Sequence, residues 1–484
     1  MVYAIVAAAM SVMFDGVPLH VEEARHSAFP MNQTWPGYER PLSQSRIDEF
    51  VRFDLDSPGE LAVTMPEGCE IGDVRLRPYS LDVLHVSNGV ARFMINRPGQ
   101  FVLEFGERHP ALFVFADCPF RYEHVPNEIY FGPGVHDAGL IEPKNGQTVC
   151  IDAGATVYGA LYLANVTNVT VTGRGVLDGS KIRRVSDDGC YLRGLTAEDK
   201  ATMRDVTLFT CLWSKNVEVR GIVLRDSPFW TMLMRNSVGI GIDGVKIVGQ
   251  WRYNSDGMDI CGCEDVRVQN SFVRSFDDSF VVRDGGLAWG RVPVSSRNIA
   301  CENCMLWSDW GYNVKAQIGG SRDALIEEVS VTNCVFANVD SGGVILAARP
   351  GGRNGVIRDI RVEHIEYDFA SHRYAHQWQK REVIDDKFVP RLIHNARLFE
   401  ICNYGFESED VRNIELLFDR ITFRHLSAVG KYGHLDAVVR LTAEKECVRR
   451  LVVEDVPPRV DWKQKSTLCD SKIVVNVEPQ GGCM

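Results

Sequence analysis

The sequence lacks an excess of positive charge and any apolar run long enough to cross a bilayer. Its 484 residues include 53 Lys and Arg against 64 Asp and Glu, which gives a net charge of −11. No basic stripe offsets this acidic balance, so we expect no nucleic-acid partner. The apolar stretch MVYAIVAAAMSVMF is too short to span a membrane and leads into Asp15-Gly16, a turn pair. We therefore expect no membrane association.

The sequence also lacks the markers of secretion, of zinc sites and of nucleotide binding. No Lys or Arg precedes the N-terminal apolar stretch, which we interpret as a first strand rather than as a poorly formed or uncleaved signal. The 14 Cys residues have no partners at zinc spacing, although C-x-C at 261–263 and C-x-x-C at 301–304 leave a metal or redox role open. No G-x-x-x-x-G-K loop occurs. We predict a cytoplasmic protein with reduced thiols and without metal or other cofactors.

Short strands separated by turns occupy the first part of the chain. Apolar and polar residues alternate in VRLRPYSLDVLHVSNGVARFMINRPGQFVLEFG, which contains the turn pairs Asn-Gly and Pro-Gly. Because the chain is long enough for more than one domain, we predict a small β-sandwich domain over 1–125. The stretch MNQTWPGYERPLSQ (31–44) is too polar and aromatic for a plain strand. One interpretation is a loop that reaches toward a functional site.

From about residue 130 onward a phrase of the form N-V-x-V recurs, as in NVTVTGRGVLDGS, NVEVRGIVLRDS and DVRVQNSFVRSFD. Short apolar strands repeated at roughly 20 to 50 residues, with Gly, Asn and Asp turns, are typical of a parallel β-helix. An ordinary β-sandwich is the alternative, but it would not repeat this phrase so often. We predict an all-β fold, with the β-helix over 126–455 and a tail at 456–484 that packs on it or is partly disordered. The repeated apolar pairs are Val169/Val171, Val217/Val219, Val245/Ile247, Val266/Val268, Ile299/Cys301, Val329/Val331, Ile360/Val362 and Ile414/Leu416.

Three aspartates lie one short repeat apart in NSDGMDICGCEDVRVQNSFVRSFDD (254–278). Asp277 follows Asp256 by 21 residues, and Asp278 is its neighbour. Residues one coil apart in a β-helix lie about 4.8 Å above one another. A bend after Phe276 would let both neighbours face one groove. Like charges held this close raise at least one pKa, so one carboxyl stays protonated while the others remain ionised and hold water.

This division of protonation states suits cleavage of a glycosidic bond. A general acid protonates the leaving oxygen, and a general base activates water. Inverting enzymes need a gap of about 6.5–9.5 Å between the two carboxyls to seat that water. One coil of rise plus a lateral offset can provide this gap. The alternative is that the aspartates only form turns, since Asp-Gly and Asp-Asp are good turn formers.

The phrase Asn254-Ser255-Asp256-Gly257 followed by Asp277-Asp278 resembles the N-T-D-G and D-D motifs of the polygalacturonase-type glycoside hydrolases and of the related dextranase family. These families, 28 and 49, form an inverting clan on a right-handed parallel β-helix, and a β-sandwich ahead of the helix is similar to the dextranase layout. The resemblance implies that Asp277 is the general acid. Asp256 and Asp278 would hold the attacking water, and Asn254 would orient a carboxylate or a sugar hydroxyl. Asp259 also belongs to the phrase and would buttress the turn.

The sequence departs from the polygalacturonase pattern at two places. Trp310-Gly311 in WSDWGYNVKAQIGG stands where the family has His-Gly, and NVDSGGVILAARPGG lacks the R-I-K motif that binds the substrate carboxylate. Lys315, Arg349 or Arg283 would be the substitutes for that motif. The absence of the His-Gly and R-I-K motifs, together with the acidic net charge, favours a neutral sugar, such as an α-glucan, over galacturonan.

Tryptophans in the predicted β-helix are candidates for stacking on sugar rings, whose axial C–H groups form an apolar surface. Trp310 is the leading candidate because it lies in the motif region, and Trp251 is a second. Trp230, Trp289 and Trp307 also fall in this region. The polar and aromatic segment 368–398 interrupts the repeat, and it is either a plain insertion or a wall of the binding groove.

Taken together, these features predict a glycoside hydrolase that acts on an oligosaccharide or polysaccharide by single-displacement inversion. A polysaccharide lyase on the same type of helix is an alternative, and an unsaturated product with ultraviolet absorbance would favour it. A polygalacturonase-type pectin hydrolase is another. A non-catalytic β-helix that only binds glycans is the third. The partner in each case is a carbohydrate, and a homo-oligomer is left open.

Overall fold

The computed structural model of the chain divides into two compact units. One comprises Met1–His26 and Ser45–Glu123, and the other comprises Ser27–Gln44 and His124–Met484. The residues that the structure describes are 10–28, 40–65, 74–79, 84–105, 110–186, 189–191, 207–285, 295–319, 323–339, 342–348, 354–369, 396–403, 415–430, 435–440, 445–457, 460–464 and 472–476.

The described residues of the first unit form ten strands. They are β1 (Ser11–Phe14), β2 (Val17–Pro18), β3 (Glu22–Ser27), β4 (Ser45–Asp54), β5 (Gly59–Thr64), β6 (Val74–Arg77), β7 (His85–Ser87), β8 (Val90–Ile95), β9 (Gly99–Phe105) and β10 (Ala111–Asp117). One sheet has the order β2-β1-β5-β8-β7, and the other has the order β3-β4-β10-β9-β6. Val63 and Phe93 of the first sheet share an apolar core with Leu103 and Val114 of the second. Two sheets that enclose one core form a β-sandwich.

The second unit is a β-helix, with one short 3-10 helix at Leu42–Gln44. Its strands are β11 (Ile129–Phe131), β12 (Gly134–Ile141), β13 (Thr148–Ile151), β14 (Ala155–Ala164), β15 (Thr167–Gly173), β16 (Val176–Asp178), β17 (Arg183–Ser186), β18 (Gly189–Tyr191), β19 (Phe209–Leu212), β20 (Lys215–Arg220), β21 (Val223–Arg225), β22 (Met232–Arg235), β23 (Val238–Asp243), β24 (Lys246–Val248), β25 (Met258–Cys261), β26 (Glu264–Gln269), β27 (Phe272–Ser275), β28 (Phe280–Arg283), β29 (Ser296–Glu302), β30 (Met305–Ser308), β31 (Val314–Ile318), β32 (Leu325–Ala337), β33 (Val344–Ala348), β34 (Gly355–Asp368), β35 (Ala396–Asn403), β36 (Glu415–Val429), β37 (Leu435–Arg440), β38 (Lys445–Val448), β39 (Arg450–Glu454), β40 (Val460–Gln464) and β41 (Lys472–Asn476). Apart from the antiparallel pair β17–β18, these strands belong to one 29-stranded sheet.

Each coil in the middle of the β-helix contributes one strand to each of three faces. The first face stacks β22, β25, β28, β31 and β33 in parallel. The second face stacks β23, β26 and β29, and the third stacks β24, β27 and β30. The prediction of an all-β chain with a parallel β-helix is confirmed.

The recurring N-V-x-V phrase marks the start of the second face. Its first apolar residues pair from coil to coil and are buried in one core. The residue before each of them adopts the left-handed backbone conformation, as at Asn168 (φ 57°) and Asp265 (φ 57°). Asn and Asp tolerate this conformation better than other non-Gly residues, so the phrase encodes a turn followed by an inward-pointing side chain. The inward-pointing residues that stack in one column along the second face are Val169, Val217, Ile240, Val266, Ile299, Val329, Ile360 and Ile421.

Beyond the middle coils, the strands of the second and third faces join into the long strands β32, β34 and β36. Near the C-terminus, β40 pairs with β37 and β41 pairs with β39, so the described part of 456–484 continues the β-helix. Most of the segment 368–398 lies outside the described residues.

Candidate active site

The three predicted aspartates lie in two turns that lead from the third face to the first. Asp256 precedes β25, and Asp278 precedes β28. Met258 pairs with Phe280, 22 positions later, so Asp256 is stacked with Asp278 rather than with Asp277. The backbone between the turns is hydrogen-bonded directly, since the Gly257 N–H donates to the Asp278 carbonyl at 2.8 Å. The two turns are therefore held one coil apart.

Asp277 is the partly exposed member of the three, whereas Asp256 and Asp278 are buried. The Asp277 Oδ2 atom accepts a hydrogen bond from Asn254 Nδ2 at 3.3 Å, and its Oδ1 accepts one from the Asp278 N–H at 3.0 Å. Arg184 donates to Asn254 Oδ1 at 3.3 Å, which directs the amide nitrogen toward Asp277. Asn254 thus contacts the carboxylate of Asp277.

Asp278 is held by a cation and a backbone donor. Lys315 Nζ lies 2.6 Å from Asp278 Oδ2, and the Tyr312 N–H donates to Oδ1 at 2.8 Å. Both oxygens of this carboxylate therefore have a partner. The charge of Lys315, expected from the sequence to face a substrate carboxylate, is directed at the protein's own Asp278.

Asp256 and Asp259 share Arg283 as their positive neighbour. Arg283 Nη2 lies 3.6 Å from Asp256 Oδ2, and Arg283 Nε lies 3.4 Å from Asp259 Oδ1. Within the described part of the chain, Asp256 Oδ1 has no hydrogen-bond partner. This oxygen is therefore a buried acceptor whose hydrogen-bonding capacity is not used by the described residues. Arg283, like Lys315, is directed at carboxylates of the protein rather than standing free for a substrate uronate.

Burial and mutual repulsion raise the pKa values of these carboxyls. Burial is the largest cause at Asp277, followed by repulsion from Asp278, and together they raise its pKa to about 7. Burial also raises the pKa of Asp259 to about 7, against the attraction of Arg283. The pKa of Asp256 is raised well above its ordinary value by burial and then by Asp259 and the two other carboxylates. At least one carboxyl of the group can thus carry a proton near neutral pH.

The raised pKa of Asp277 predicts that turnover decreases as the pH rises through about 7, because the general acid loses its proton there.

The raised pKa of Asp277 also makes the stability of the folded protein depend on pH. The contribution of this carboxyl is complete below its ordinary pKa of 3.8 and is lost as the pH rises through about 7, since the folded state holds the proton longer. A pH profile of kcat and thermal melts from pH 4 to 8 check both effects, with Asp277→Asn as the reference. Wild-type melts that match those of the variant across this range would contradict the shift.

The backbone of Gly311 packs directly against the aspartate pair. A Cβ atom at this position would lie 2.5 Å from the Asp278 nitrogen and 2.7 Å from Asp277 Oδ1. Only a residue without a side chain fits here. Gly311 was noted in the sequence only as part of a family motif, and its role as a spacer depends on contacts between coils.

Trp310 lies beside the aspartates and is partly exposed. Its ring stacks on Phe276 with 5.6 Å between centroids and contacts Tyr253 at 5.5 Å. Phe276 directly precedes Asp277, and Tyr253 directly precedes Asn254. An aromatic cluster therefore supports the start of both turns, and Trp310 presents part of its surface to solvent.

Trp251 is only 3% exposed, and its indole nitrogen donates to Asp226 at 2.9 Å. Its ring is not available to a sugar, which corrects the contact expected from the sequence. Trp307 is also buried, with the Arg274 guanidinium 3.8 Å from its ring centroid. Trp230 is partly exposed and lies under Arg283, 4.8 Å from the guanidinium. Trp289 lies outside the described residues.

The place of the missing R-I-K motif is apolar. Ile345 and Ala347 of β33 follow Lys315 and Gln317 in register on the first face, and they pack with Tyr312 and Cys402. No cation projects from this described strand. Arg349, the third candidate substitute, lies outside the residues that the structure describes.

Among the described residues, no group of three or more His, Cys, Asp or Glu residues could hold a metal ion. No helix in the same part of the chain has the length and apolar character needed to cross a membrane.

The fold has a solved counterpart over nearly its whole length. Dex49A from Penicillium minioluteum superposes with a TM-score of 0.53 at 13% sequence identity, covering 94% of this chain and 93% of that chain. At this level of identity the likeness concerns the fold.

Sequence relatives match less than half of the chain. A probable polygalacturonase of Vitis vinifera is 26% identical over 219 residues, which is 44% of this chain and 41% of the relative. A probable exopolygalacturonase X of Aspergillus fumigatus is 27% identical over 201 residues, which is 40% of this chain and 42% of the relative. The matched region thus spans about two fifths of these relatives.

The prediction of a cytoplasmic location is wrong, because the plant and fungal polygalacturonases that the chain resembles are secreted, extracellular proteins. The prediction relied on the absence of a clear signal peptide and on the scattered cysteines. Eight of the nine described free cysteines are buried. A buried thiol behaves as a small apolar side chain, so its presence reports on packing and not on the compartment.

Residues 151–371 match glycosyl hydrolases family 28. This range contains Asp256, Asp277 and Asp278 together with the coils above and below them. The resemblance indicated by the N-S-D-G and D-D phrases is therefore confirmed. Over residues 151–371 the chain is therefore similar to the glycosyl hydrolases of family 28, a match that covers less than half of its 484 residues.

Proposed function

We propose that the chain hydrolyses glycosidic bonds by single displacement with inversion, with Asp277 as the general acid and with Asp256 and Asp278 holding the attacking water. The observation that carries this proposal is the placement of three carboxyls in the turns of two adjacent coils, one of them partly exposed with its pKa raised to about 7. A carboxyl in that state can give up a proton near neutral pH. Inverting glycosidases use a pair of carboxyls in this way.

In the proposed reaction, Asp277 gives its proton to the glycosidic oxygen as the bond to the anomeric carbon breaks. Water attacks that carbon from the opposite side and passes a proton to the base formed by Asp256 and Asp278, which must be ionised in this step. Asp278 contributes negative charge at a position set by Lys315. Asn254 keeps the acid in place through its amide. The products are two sugars, one with an inverted anomeric centre.

We further propose that the sugar at the cleavage site is neutral. A uronate binder needs cations that can form charge-assisted hydrogen bonds with the substrate carboxylate. Ile345 and Ala347 are apolar, and Lys315 and Arg283 contact carboxylates of the protein itself. Ile345 and Ala347 are buried and supply no cation, and the exposed part of Trp310 offers an uncharged sugar a stacking face.

Reducing-end release from α-glucans, polygalacturonate and other plant and microbial glycans tests both proposals. We expect activity on a neutral glycan, and NMR of the first product should show the inverted anomer. An unsaturated product that absorbs ultraviolet light would indicate a lyase. If polygalacturonate were the best substrate, the neutral-sugar proposal would be refuted and a pectin hydrolase would be favoured.

A further inference from the structure

We propose that Arg40 is a positioning residue for both catalytic turns, an inference that rests on the proposed hydrolase function. Arg40 precedes the β-helix by more than 80 residues in sequence, yet the segment Ser27–Gln44 belongs to the same compact unit as the β-helix. Its side chain is 3% exposed. The described ends of this segment are joined, since the Ala28 N–H donates to the Gln44 carbonyl at 2.9 Å.

The guanidinium of Arg40 contacts the chain that leads into the first turn. Arg40 Nη1 donates to the Trp251 carbonyl at 2.5 Å, three residues before Asn254. The same nitrogen donates to Ser27 Oγ at 2.5 Å, and Nε donates to Gln44 Oε1 at 3.0 Å. Two side chains of its own segment thus fix the direction of the guanidinium toward Trp251.

The same guanidinium contacts the second turn through an aromatic ring. Its carbon atom lies 4.7 Å from the centroid of Phe276, the residue directly before Asp277. The Phe276 N–H donates to the Ser255 carbonyl at 3.1 Å, which links the two turns at this point. Arg40 therefore touches the residues that introduce the water-binding carboxylate and the general acid. A planar guanidinium can donate in its plane and stack on its face at the same time, which Lys cannot do.

Loss of these contacts would loosen both turns without removing any group that reacts. A displacement of about 1 Å of a catalytic group can cost roughly a hundredfold in rate. In Arg40→Met we expect kcat to fall by about 10-fold to 100-fold with KM nearly unchanged. Backbone hydrogen exchange should accelerate in peptides that cover 252–257 and 276–279. Arg40→Lys, which keeps the charge, should lie between wild type and Arg40→Met.

The matched control is Arg77→Met. Arg77 is also fully buried, and it pairs with Glu104 at 2.6 Å in the sandwich unit. The Arg77→Met substitution should lower the melting temperature while leaving kcat and hydrogen exchange in the two turns unchanged. Wild-type kcat and exchange in Arg40→Met, or the same effects in Arg77→Met, would overturn the proposal. If Arg40→Met does not fold, Arg40→Lys gives the same comparison. Wild-type protein without activity on any glycan would refute the hydrolase function, while the exchange data would still decide the role of Arg40.

Discussion

Substitution of Asp277 by Asn is expected to lower kcat by about 10²-fold to 10⁴-fold, the usual contribution of a general acid. Asn has the same size and can keep the contact with Asn254, so the turn should retain its shape. It cannot supply the proton that the leaving oxygen needs. Because the defect lies in the chemical step, KM should change little. Steady-state kinetics on the substrate found in the glycan panel measure the loss.

A neighbouring carboxyl provides the control for this experiment. Asp284 is buried in the same coil, and its Oδ1 accepts a hydrogen bond from the Gly319 N–H at 2.8 Å. Asp284→Asn should affect stability more than kcat. A substrate with a good leaving group sharpens the comparison, because it needs less help from an acid and should restore much of the activity of Asp277→Asn. Full activity of Asp277→Asn on ordinary glycans would refute the assignment of the acid.

Gly311→Ala is expected to reduce kcat by about a hundredfold or more. The added methyl group would lie 2.5 Å from the Asp278 nitrogen and 2.7 Å from oxygens of Asp277 and Asp278, so the aspartate turn must move. A shift of about 1 Å in a catalytic group has an effect of this size. Overpacking should also destabilise the fold by about 1–3 kcal/mol. Kinetics and denaturant titration measure the two effects separately.

Gly319→Ala is the matched control for Gly311→Ala. Both residues flank β31, but among the described residues a Cβ atom at Gly319 would meet Asp284 Oδ1 alone, at 3.8 Å, which is an ordinary contact. This variant should fold and turn over nearly as wild type does. Wild-type kcat in Gly311→Ala would show that the catalytic turn tolerates movement, and the case for a precisely spaced acid would weaken.

The β-helix could be predicted from the sequence because its turns have a strong local preference. Asn or Asp in the left-handed conformation followed by two inward apolar residues is visible without any knowledge of the fold. In two coils, however, the same pattern predicted the wrong residues for the second face. Val245/Ile247 leads into β24 on the third face, whereas Ile240 occupies the second-face column. The column ends with Ile421 after Arg420 (φ 52°), and Ile414 of the expected pair lies outside the described residues. Gly239 and Arg420 replace Asn at these turns, so the phrase loses its signal there.

Short sequence motifs were enough to predict the three aspartates of the candidate site. The two aspartate phrases are local, and one coil separates them, so their proximity follows from the period. The sequence could not show that Asp256 aligns with Asp278, because the coil length of 22 is set by pairing in the sheet. Nor could it distinguish an inward Trp251 from a partly exposed Trp310. Arg40 was not singled out, since its contacts with the two turns join residues more than 200 positions apart.

The position of the aspartate turns within the stack of coils determines the order in which the protein unfolds and loses activity. In a linear array each coil is stabilised mainly by its two neighbours, so opening begins at the termini and travels inward. The turns before β25 and β28 have several coils on either side. Mild heating or dilute denaturant should therefore fray the outermost coils while the reactive centre stays assembled, and inactivation should lag behind the first loss of β-structure.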